Sequence, residues 1–291
     1  MVQAAEPSIP GVRSMTGRTA SGVPATARIE ATHLDGFDGG PRFGVWWLPS
    51  GREPRGAVLC VQPLGEERTH ARHALASQAW RLAARGWAVL AIDLYGTGDS
   101  AGETGDATLQ GWRSDLLRAA MIARQRHSGP NVLWGARAGA LLAADIAVAL
   151  DQLVDAYVFW QAPESGHEIS DASHVGGRPA SALLNELREM RMQPPPVAEH
   201  GAPPAALFVE FDQPAANRSD LSPVTAALTE AWLAAGYLAT PRIARCARFW
   251  LPSQATARSG ARGSPGMQQA RERAWPTPAW LATEEFLEGV R

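Results

Sequence analysis

The stretch "NVLWGARAGALLAADIA", Asn131–Ala147, decides the fold of this chain. Its first four residues form an apolar run that predicts a buried strand, and the apolar residues after Gly139 predict a helix covered on nearly every side. Between the two, Gly135 and Gly139 bracket a sharp turn. Such a turn is the setting of the G-x-S-x-G nucleophile elbow, where a serine stands exposed at the top of a sheet. Here Arg137 takes the place of that serine.

The elements on either side of this turn predict an α/β protein. Short apolar runs at 57–62, 87–93 and 155–161 are typical of strands buried on both faces, and helical spacing recurs at 69–85 and 108–126. This alternation predicts a mainly parallel central sheet with helices on both faces. Further strands are expected at 41–49, 204–212 and 241–251, and further helices at 179–192, 222–236 and 279–290, with Thr69 and Ser222 as helix caps.

Three segments depart from this alternation of strands and helices. Residues 1–30 are small and punctuated by proline and glycine, so we expect them to be disordered, with residues 31–291 forming one domain. Residues 162–203 form an insertion that serves either as a short lid or as a long surface loop. Residues 252–278 are poor in apolar side chains and rich in Gly, Ser, Arg and Pro, which predicts a loose loop.

The composition excludes several classes of function. A net charge of −2 provides no overall field for nucleic acid or an anionic membrane. The absence of lysine excludes a lysine Schiff base and a Walker A loop. Cys60 and Cys246 lie in apolar runs and are predicted to be buried free thiols, and with no metal-ligand spacing we expect neither a metal nor a cofactor. Without a signal-peptide pattern or an apolar run of about 18 residues, a cytoplasmic protein is expected.

Two motifs carry a resemblance to the α/β-hydrolase fold over residues 40–291. One is the strand, turn and helix around Gly135–Gly139. The other is "DLYGTGDSAG", Asp93–Gly102, which is similar to the D-x-x-G-x-G-x-S loop that follows the preceding core strand in that fold. The resemblance implies that the chain is a hydrolase by fold.

The chain more closely resembles the exosortase A system-associated hydrolases of the type called hydrolase 2. Members of that type carry a Gly-x-Arg-Ala-Gly-Ala-Leu-Leu-Ala elbow, which Gly135–Ala143 matches. Other matching positions are Pro63, Glu66, Glu67, Trp160, Gln161, Phe249 and Trp250, although the continuation "FWLPSQ" departs from the usual "FWQTQE". The resemblance implies a bacterial setting near exopolysaccharide production and PEP-CTERM protein sorting, and it names no protein partner.

The serine triad expected of this fold is degenerate in the sequence. Acyl transfer needs a nucleophile, an acid and a histidine, in the chain order Ser, Asp/Glu, His. The guanidinium of Arg137 stays protonated and has no lone pair with which to attack a carbonyl. Asp212 ends the predicted strand 204–212 and is a candidate acid, or else a solvated aspartate at a strand end. The last histidine is His200, so no histidine follows that strand.

Two serines offer weaker alternatives for a nucleophile. "GDSAG" matches G-x-S-x-G around Ser100, but its strand ends near Asp93, so we expect Ser100 to brace the loop. Ser165 lies beside His167 in the insertion, where no rigid scaffold is predicted to hold the pair.

The elbow retains features of an anion site. The helix that begins near Ala138 directs free N–H groups at the turn, and a second oxyanion donor is expected at Leu64 or Gly65. Together with Arg137, these groups suit a carboxylate or phosphate, so a small anionic or acyl ligand is one expectation.

Two other roles for this site stay open. Glu66 or Glu67 is placed to form an internal ion pair with Arg137, which would close the former active site. Alternatively, the chain is an active ester or thioester hydrolase that uses Asp99, Ser100 or a water molecule activated by one of these glutamates. A non-catalytic scaffold is the remaining hypothesis.

Overall fold

The computed structural model describes residues 27–150, 153–169, 181–197, 202–212, 220–251 and 275–290. The predictions of disorder for residues 1–26 and of a loose loop for residues 252–274 lie outside these ranges. The prediction was wrong for residues 27–30, because they belong to a strand that pairs along its whole length with the next strand.

Within the described ranges, eight strands form one sheet in the order β1-β2-β4-β3-β5-β6-β7-β8. The first strand, β1, pairs antiparallel with β2, and β2 pairs antiparallel with β4, while every other pairing is parallel. This arrangement confirms the predicted mainly parallel sheet. The strands are β1 Ala27–Leu34, β2 Arg42–Pro49, β3 Gly56–Val61, β4 Trp87–Ile92, β5 Asn131–Ala136, β6 Ala156–Trp160, β7 Ala205–Asp212 and β8 Leu238–Arg245.

Helices cover both faces of the sheet, as predicted. One apolar core joins α2, α3, α4 and α5 to the first face, and a second core joins α1 and α6 to the other face. The helices are α1 Gly65–Ala84, α2 Leu109–Arg124, α3 Ala138–Leu150, α4 Ser181–Glu189, α5 Pro223–Ala234 and α6 Thr277–Glu288.

Helix α1 begins four residues earlier than predicted. Thr69 is therefore not its cap, and Leu64 takes that position without a side-chain hydrogen bond. Gly65 starts the helix with a φ of 58°, which glycine adopts readily, and two acidic residues in the first turn stabilise the positive end of the helix dipole. At the start of α5, the predicted cap is confirmed, because the Ser222 hydroxyl accepts a hydrogen bond from the Thr225 N–H at 3.2 Å.

Strand β8 lies earlier than the predicted 241–251. It pairs with β7 from Leu238 to Arg245 and ends where β7 ends, so its bounds are set by its partner and not by its own apolar pattern. The aromatic residues that suggested a longer strand instead follow the strand and pack on the Phe211 ring, with centroids 5.0 Å away for Phe249 and 5.4 Å away for Trp250.

The insertion at 162–203 contains a short 3₁₀ turn, Gly166–Glu168, and the predicted helix α4. Leu183 and Leu187 of α4 are buried in the core on the α2 and α3 face. The helix is therefore part of the packed structure, and a lid role for the insertion stays a prediction.

Candidate functional site

The turn between β5 and α3 has the backbone conformation of a nucleophile elbow. Arg137 has a φ of 54°, a left-handed conformation that costs a non-glycine residue about 1–3 kcal/mol. Its N–H donates to the Trp160 carbonyl oxygen at 2.9 Å, and its own carbonyl oxygen accepts from the Ala140 N–H at 2.8 Å. The strained turn is thus present although the residue at its tip is an arginine.

The two glycines of the turn allow α3 to lie directly on the sheet. A Cβ atom at Gly139 would lie 2.1 Å from the Val61 carbonyl oxygen, and one at Gly135 would lie 2.5 Å from the Ala140 Cα atom. Real Cβ atoms do not approach so closely, so only glycine fits at either position. The glycine spacing of the sequence therefore reflects a packing requirement of the elbow.

The side chain of Arg137 is held in an internal ion pair. Its Nε–H donates to the Glu67 Oε1 atom at 3.1 Å, and its Nη2 group contacts the same oxygen at 3.1 Å. The second carboxylate oxygen lies 3.3 Å from Nε. The two side chains are only 13% and 16% exposed, so water screens this pair little. The ion-pair alternative is thus observed, with Glu67 as the partner, while Glu66 is exposed.

Two further groups enclose the guanidinium. Its central carbon lies 5.2 Å from the centroid of the Trp250 ring, which is a cation–π distance. The Gln161 carbonyl oxygen lies 3.5 Å from Nη1. A carboxylate, an aromatic face and a carbonyl oxygen therefore surround the cation that replaces the serine.

A second strained residue lies next to the elbow. Gln161, directly after β6, has a φ of 46°. Its N–H donates to the Val209 carbonyl oxygen and its side-chain oxygen accepts from the Phe211 N–H, both at 2.8 Å. Sequence reasoning noted this glutamine only through the family resemblance. Backbone strain of this kind collects at functional sites, and here two such residues are in contact, since the Gln161 carbonyl oxygen lies 3.5 Å from the Arg137 Nη1 atom.

The structure separates the predicted anion-binding residues into two groups. Leu64, Gly65 and Glu66 line a cavity of about 200 Å³ between the β3–α1 loop and the loop after β4. Arg137 and Ala138 do not line that cavity, and the Ala138 residue is buried at the start of α3. An anion held jointly by all these groups is therefore not supported by the cavity.

Ser100 braces its loop, as predicted. Its hydroxyl donates to the Asp93 carbonyl oxygen at 2.5 Å and accepts from the Phe43 N–H at 2.9 Å. The neighbouring Asp99 N–H donates to the Asp93 carboxylate at 3.0 Å. Because these bonds occupy the hydroxyl, Ser100 is poorly placed to act as a nucleophile.

Ser165 and His167 belong to a surface turn. The Ser165 side chain and Glu168 form a capping box around the 3₁₀ turn. The His167 Nε2 atom lies 3.7 Å from the Glu189 carboxylate, and both of these side chains are more than half exposed. The two residues serve the local turn, which agrees with the absence of a rigid scaffold noted from the sequence.

Asp212 lies at the end of β7, where the triad acid of this fold is expected. It is 8% exposed, and its Oδ2 atom has no hydrogen-bond partner among the described residues. Its carbonyl oxygen accepts from the Cys246 N–H at 3.0 Å, which places a cysteine at the end of β8. A carboxylate is thus present at the end of β7, and no histidine follows it in the sequence.

The two cysteines are unsuited to replace the serine. Both are buried and free, as predicted. Burial raises the pKa of the Cys246 thiol to about 12, and it raises the pKa of the Cys60 thiol further still. Because the thiolate is the nucleophilic form, both side chains are inert at neutral pH.

The described ranges hold neither a metal-ligand cluster nor a membrane-spanning helix. There, no group of three His, Cys, Asp or Glu side chains is arranged to hold a metal ion. None of the helices in the same ranges combines the length and the apolar composition that crossing a membrane requires.

Comparison with known proteins agrees with this architecture. Residues 52–193 match the family described as serine aminopeptidase, S33. No curated protein matches the sequence.

Solved structures of related shape are distant in sequence. Est1E from Butyrivibrio proteoclasticus, solved with ferulic acid, is similar with a TM-score of 0.53 and 17% identity over 73% of this chain and 88% of that one. An α/β serine hydrolase without a lid from Xanthomonas campestris is similar with a TM-score of 0.50 and 19% identity, over 78% of this chain and 88% of that one. The thioesterase domain from the curacin biosynthetic pathway is similar with a TM-score of 0.50 and 16% identity, over 76% of this chain and 94% of that one. This chain therefore has the α/β-hydrolase fold, and its residues 52–193 are similar to the serine aminopeptidase S33 family.

Proposed function

We propose that this chain is an α/β-hydrolase-fold protein of the exosortase A-associated hydrolase 2 type that has lost serine-triad chemistry. The elbow Gly135–Ala143 and the matching positions around Glu67, Gln161 and Trp250 support this assignment. These three residues meet at one place in the fold, because each of them contacts Arg137. In this proposal the protein works in the cytoplasm, near exopolysaccharide production and PEP-CTERM sorting.

The ion pair at the elbow is the observation that carries the proposal. A serine at this position would present a hydroxyl to the substrate, whereas the guanidinium of Arg137 has no lone pair to donate. The Glu67 carboxylate lies on the guanidinium and neutralises it. The pair occupies the tip of the elbow, where the nucleophile of this fold stands, so the site is chemically unsuited to serine-type acyl transfer.

Ligand binding at the elbow requires the Glu67 carboxylate to move. An anionic or acyl ligand has to replace that carboxylate on Arg137, since the Trp250 ring already covers one face of the guanidinium. The positive end of the α3 helix dipole favours such an anion. The proposal therefore includes a weak anion site that competes with Glu67, and it assigns no turnover to this site.

Labelling with a fluorophosphonate probe tests the loss of serine chemistry. We expect no covalent adduct on the full chain and no hydrolysis of p-nitrophenyl acetate or of an acyl thioester above the buffer rate. We expect the Arg137→Ser variant to stay inactive as well, because no histidine follows residue 200 to take the proton from the new hydroxyl. Intact-protein mass spectrometry measures the adduct, and absorbance measures the turnover.

Clear hydrolysis by the wild-type chain would contradict the proposal. If that hydrolysis disappears in the Glu67→Gln variant, the active-hydrolase alternative with a glutamate-activated water is the better description. The Arg124→Gln variant is the matched control, since the side chain of this exposed helical arginine forms no hydrogen bond or ion pair among the described residues.

Deletion of the gene in its host tests the proposed association with export. We expect lower exopolysaccharide output or mis-sorted PEP-CTERM proteins, restored by the wild-type gene and by the Arg124→Gln variant but not by the Arg137→Ala variant at equal protein level. Secreted polysaccharide and PEP-CTERM protein location are measured in parallel. Unchanged values for both after deletion would contradict the association.

A further inference from the structure

A cavity of about 100 Å³ lies between α1 and the sheet. The strand side of this α1 cavity is formed by β2, β3 and β4, and the helix side is formed by α1. Its wall is mostly apolar, and the principal apolar side chains are Val45, Trp47, Ala91, Leu75, Ala76 and Ala79. Neither Arg137 nor Glu67 lines it, so it is distinct from the elbow.

Two arginines of α1 line the same cavity. Arg68 and Arg72 are four residues apart, which places them on one side of the helix. Arg68 contacts the Asp93 carboxylate at 3.0 Å and donates to the Thr97 hydroxyl at 3.1 Å. Arg72 is exposed, and its guanidinium has no polar partner among the described residues. Among the described residues, the charged groups that line the cavity are these two arginines and Asp93, so the charges of this lining sum to +1.

The combination of an apolar pocket and an uncompensated guanidinium defines the chemistry of a ligand. The planar fork of an arginine matches the two oxygens of a carboxylate. An apolar cavity of about 150 Å³ holds benzene, so the α1 cavity has room for an aliphatic tail of about four carbons. A single excess positive charge is balanced by a monoanion.

We propose that the α1 cavity binds a short-chain aliphatic monocarboxylate. The tail lies between the β2 side chains and Ala76 and Ala79, and the carboxylate contacts Arg72, with Arg68 beside it. This site is separate from the elbow, and its occupancy does not depend on whether the elbow has any activity.

Titration of the ¹⁵N-labelled full chain with pentanoate tests the site. We expect saturable shifts of amide resonances in α1 and β2, and no such shifts with pentylamine, which has the same tail and the opposite charge. The Arg72→Gln variant should weaken binding about five-fold, the effect of losing one partly exposed charge pair. The Arg124→Gln variant, which changes an exposed helical arginine elsewhere, should bind like the wild type.

A second variant tests the cavity without touching the charge. Ala76→Leu places a larger side chain in the cavity, so pentanoate binding should be lost while the fold, checked by the same spectra, is kept. Equal binding by wild type, Arg72→Gln and Ala76→Leu would overturn the proposal. It would also be overturned by shifts that centre on Arg137 instead of α1 and β2, or by tighter binding of butyl phosphate than of pentanoate.

Discussion

Replacing Asp115 by alanine is expected to lower the free energy of unfolding by about 3–5 kcal/mol. Asp115 of α2 and Arg42 of β2 form an ion pair in which the Nε–H donates to Oδ2 at 2.8 Å, and each side chain is only 2% exposed. Removing the carboxylate leaves a cation in the protein interior, and this cost exceeds the value of the pair itself. Urea unfolding followed by tryptophan fluorescence measures the change.

The surroundings of the pair explain why the cost is large. The other nitrogens of Arg42 donate to the Gly40 carbonyl oxygen at 2.6 Å and to the Asp38 carbonyl oxygen at 2.7 Å, so the guanidinium is fixed in place. The Asp115 carboxylate also accepts from the Tyr95 N–H at 2.8 Å. The variant therefore loses both the counterion of Arg42 and an anchor of the loop after β4.

A second, more exposed Arg–Asp ion pair provides the control. Arg113 donates to the Asp145 carboxylate at 2.6 and 2.8 Å, but these side chains are 36% and 24% exposed. Asp145→Ala should therefore cost no more than about 1 kcal/mol, because water screens the pair and solvates the freed arginine. Equal losses from the two variants would show that burial does not set the energy of the Arg42–Asp115 pair.

Local sequence signals were sufficient for most of the fold. Continuous apolar runs identified β3, β4, β5 and β6, because strands covered on both faces have few polar positions. The Ser222 cap was also predictable, since it depends on residues within one turn of the helix. The bounds of β8 were not, because the pairing with β7 sets them. The Arg42–Asp115 pair could not be predicted either, since its partners lie 73 positions apart and on different elements.

The candidate site shows the same division between local and long-range information. The arginine at the tip of the elbow, Arg137, was readable from the sequence, and the glycines around it identified the turn. The choice between Glu66 and Glu67 as its partner was not readable, because it depends on where α1 begins and on a contact across 70 positions. The Trp250 ring on the guanidinium was also unforeseen, since that residue was expected to lie within the last strand.

Gly139→Ala is expected to destabilise the protein by about 3 kcal/mol. The added Cβ atom would lie 2.1 Å from the Val61 carbonyl oxygen and 2.5 Å from the Gln62 carbonyl oxygen. Both are backbone atoms, since Val61 is the last residue of β3 and Gln62 follows it. Strand β3 lies in the middle of the sheet and has no room to move. Helix α3 must therefore shift away from the sheet, and Arg137 at its start must shift with it. Urea unfolding measures the loss.

Gly289→Ala is the matched glycine control, because its new Cβ atom would lie 3.5 Å from the Phe286 carbonyl oxygen, an ordinary contact. We expect a change within about 0.5 kcal/mol for that variant. The two results together separate a packing requirement at the elbow from a general effect of adding a methyl group. If Gly139→Ala were as mild as the control, α3 would not need its close approach to β3. The strained backbone at Arg137 would then not result from that packing, and the elbow geometry would need another cause.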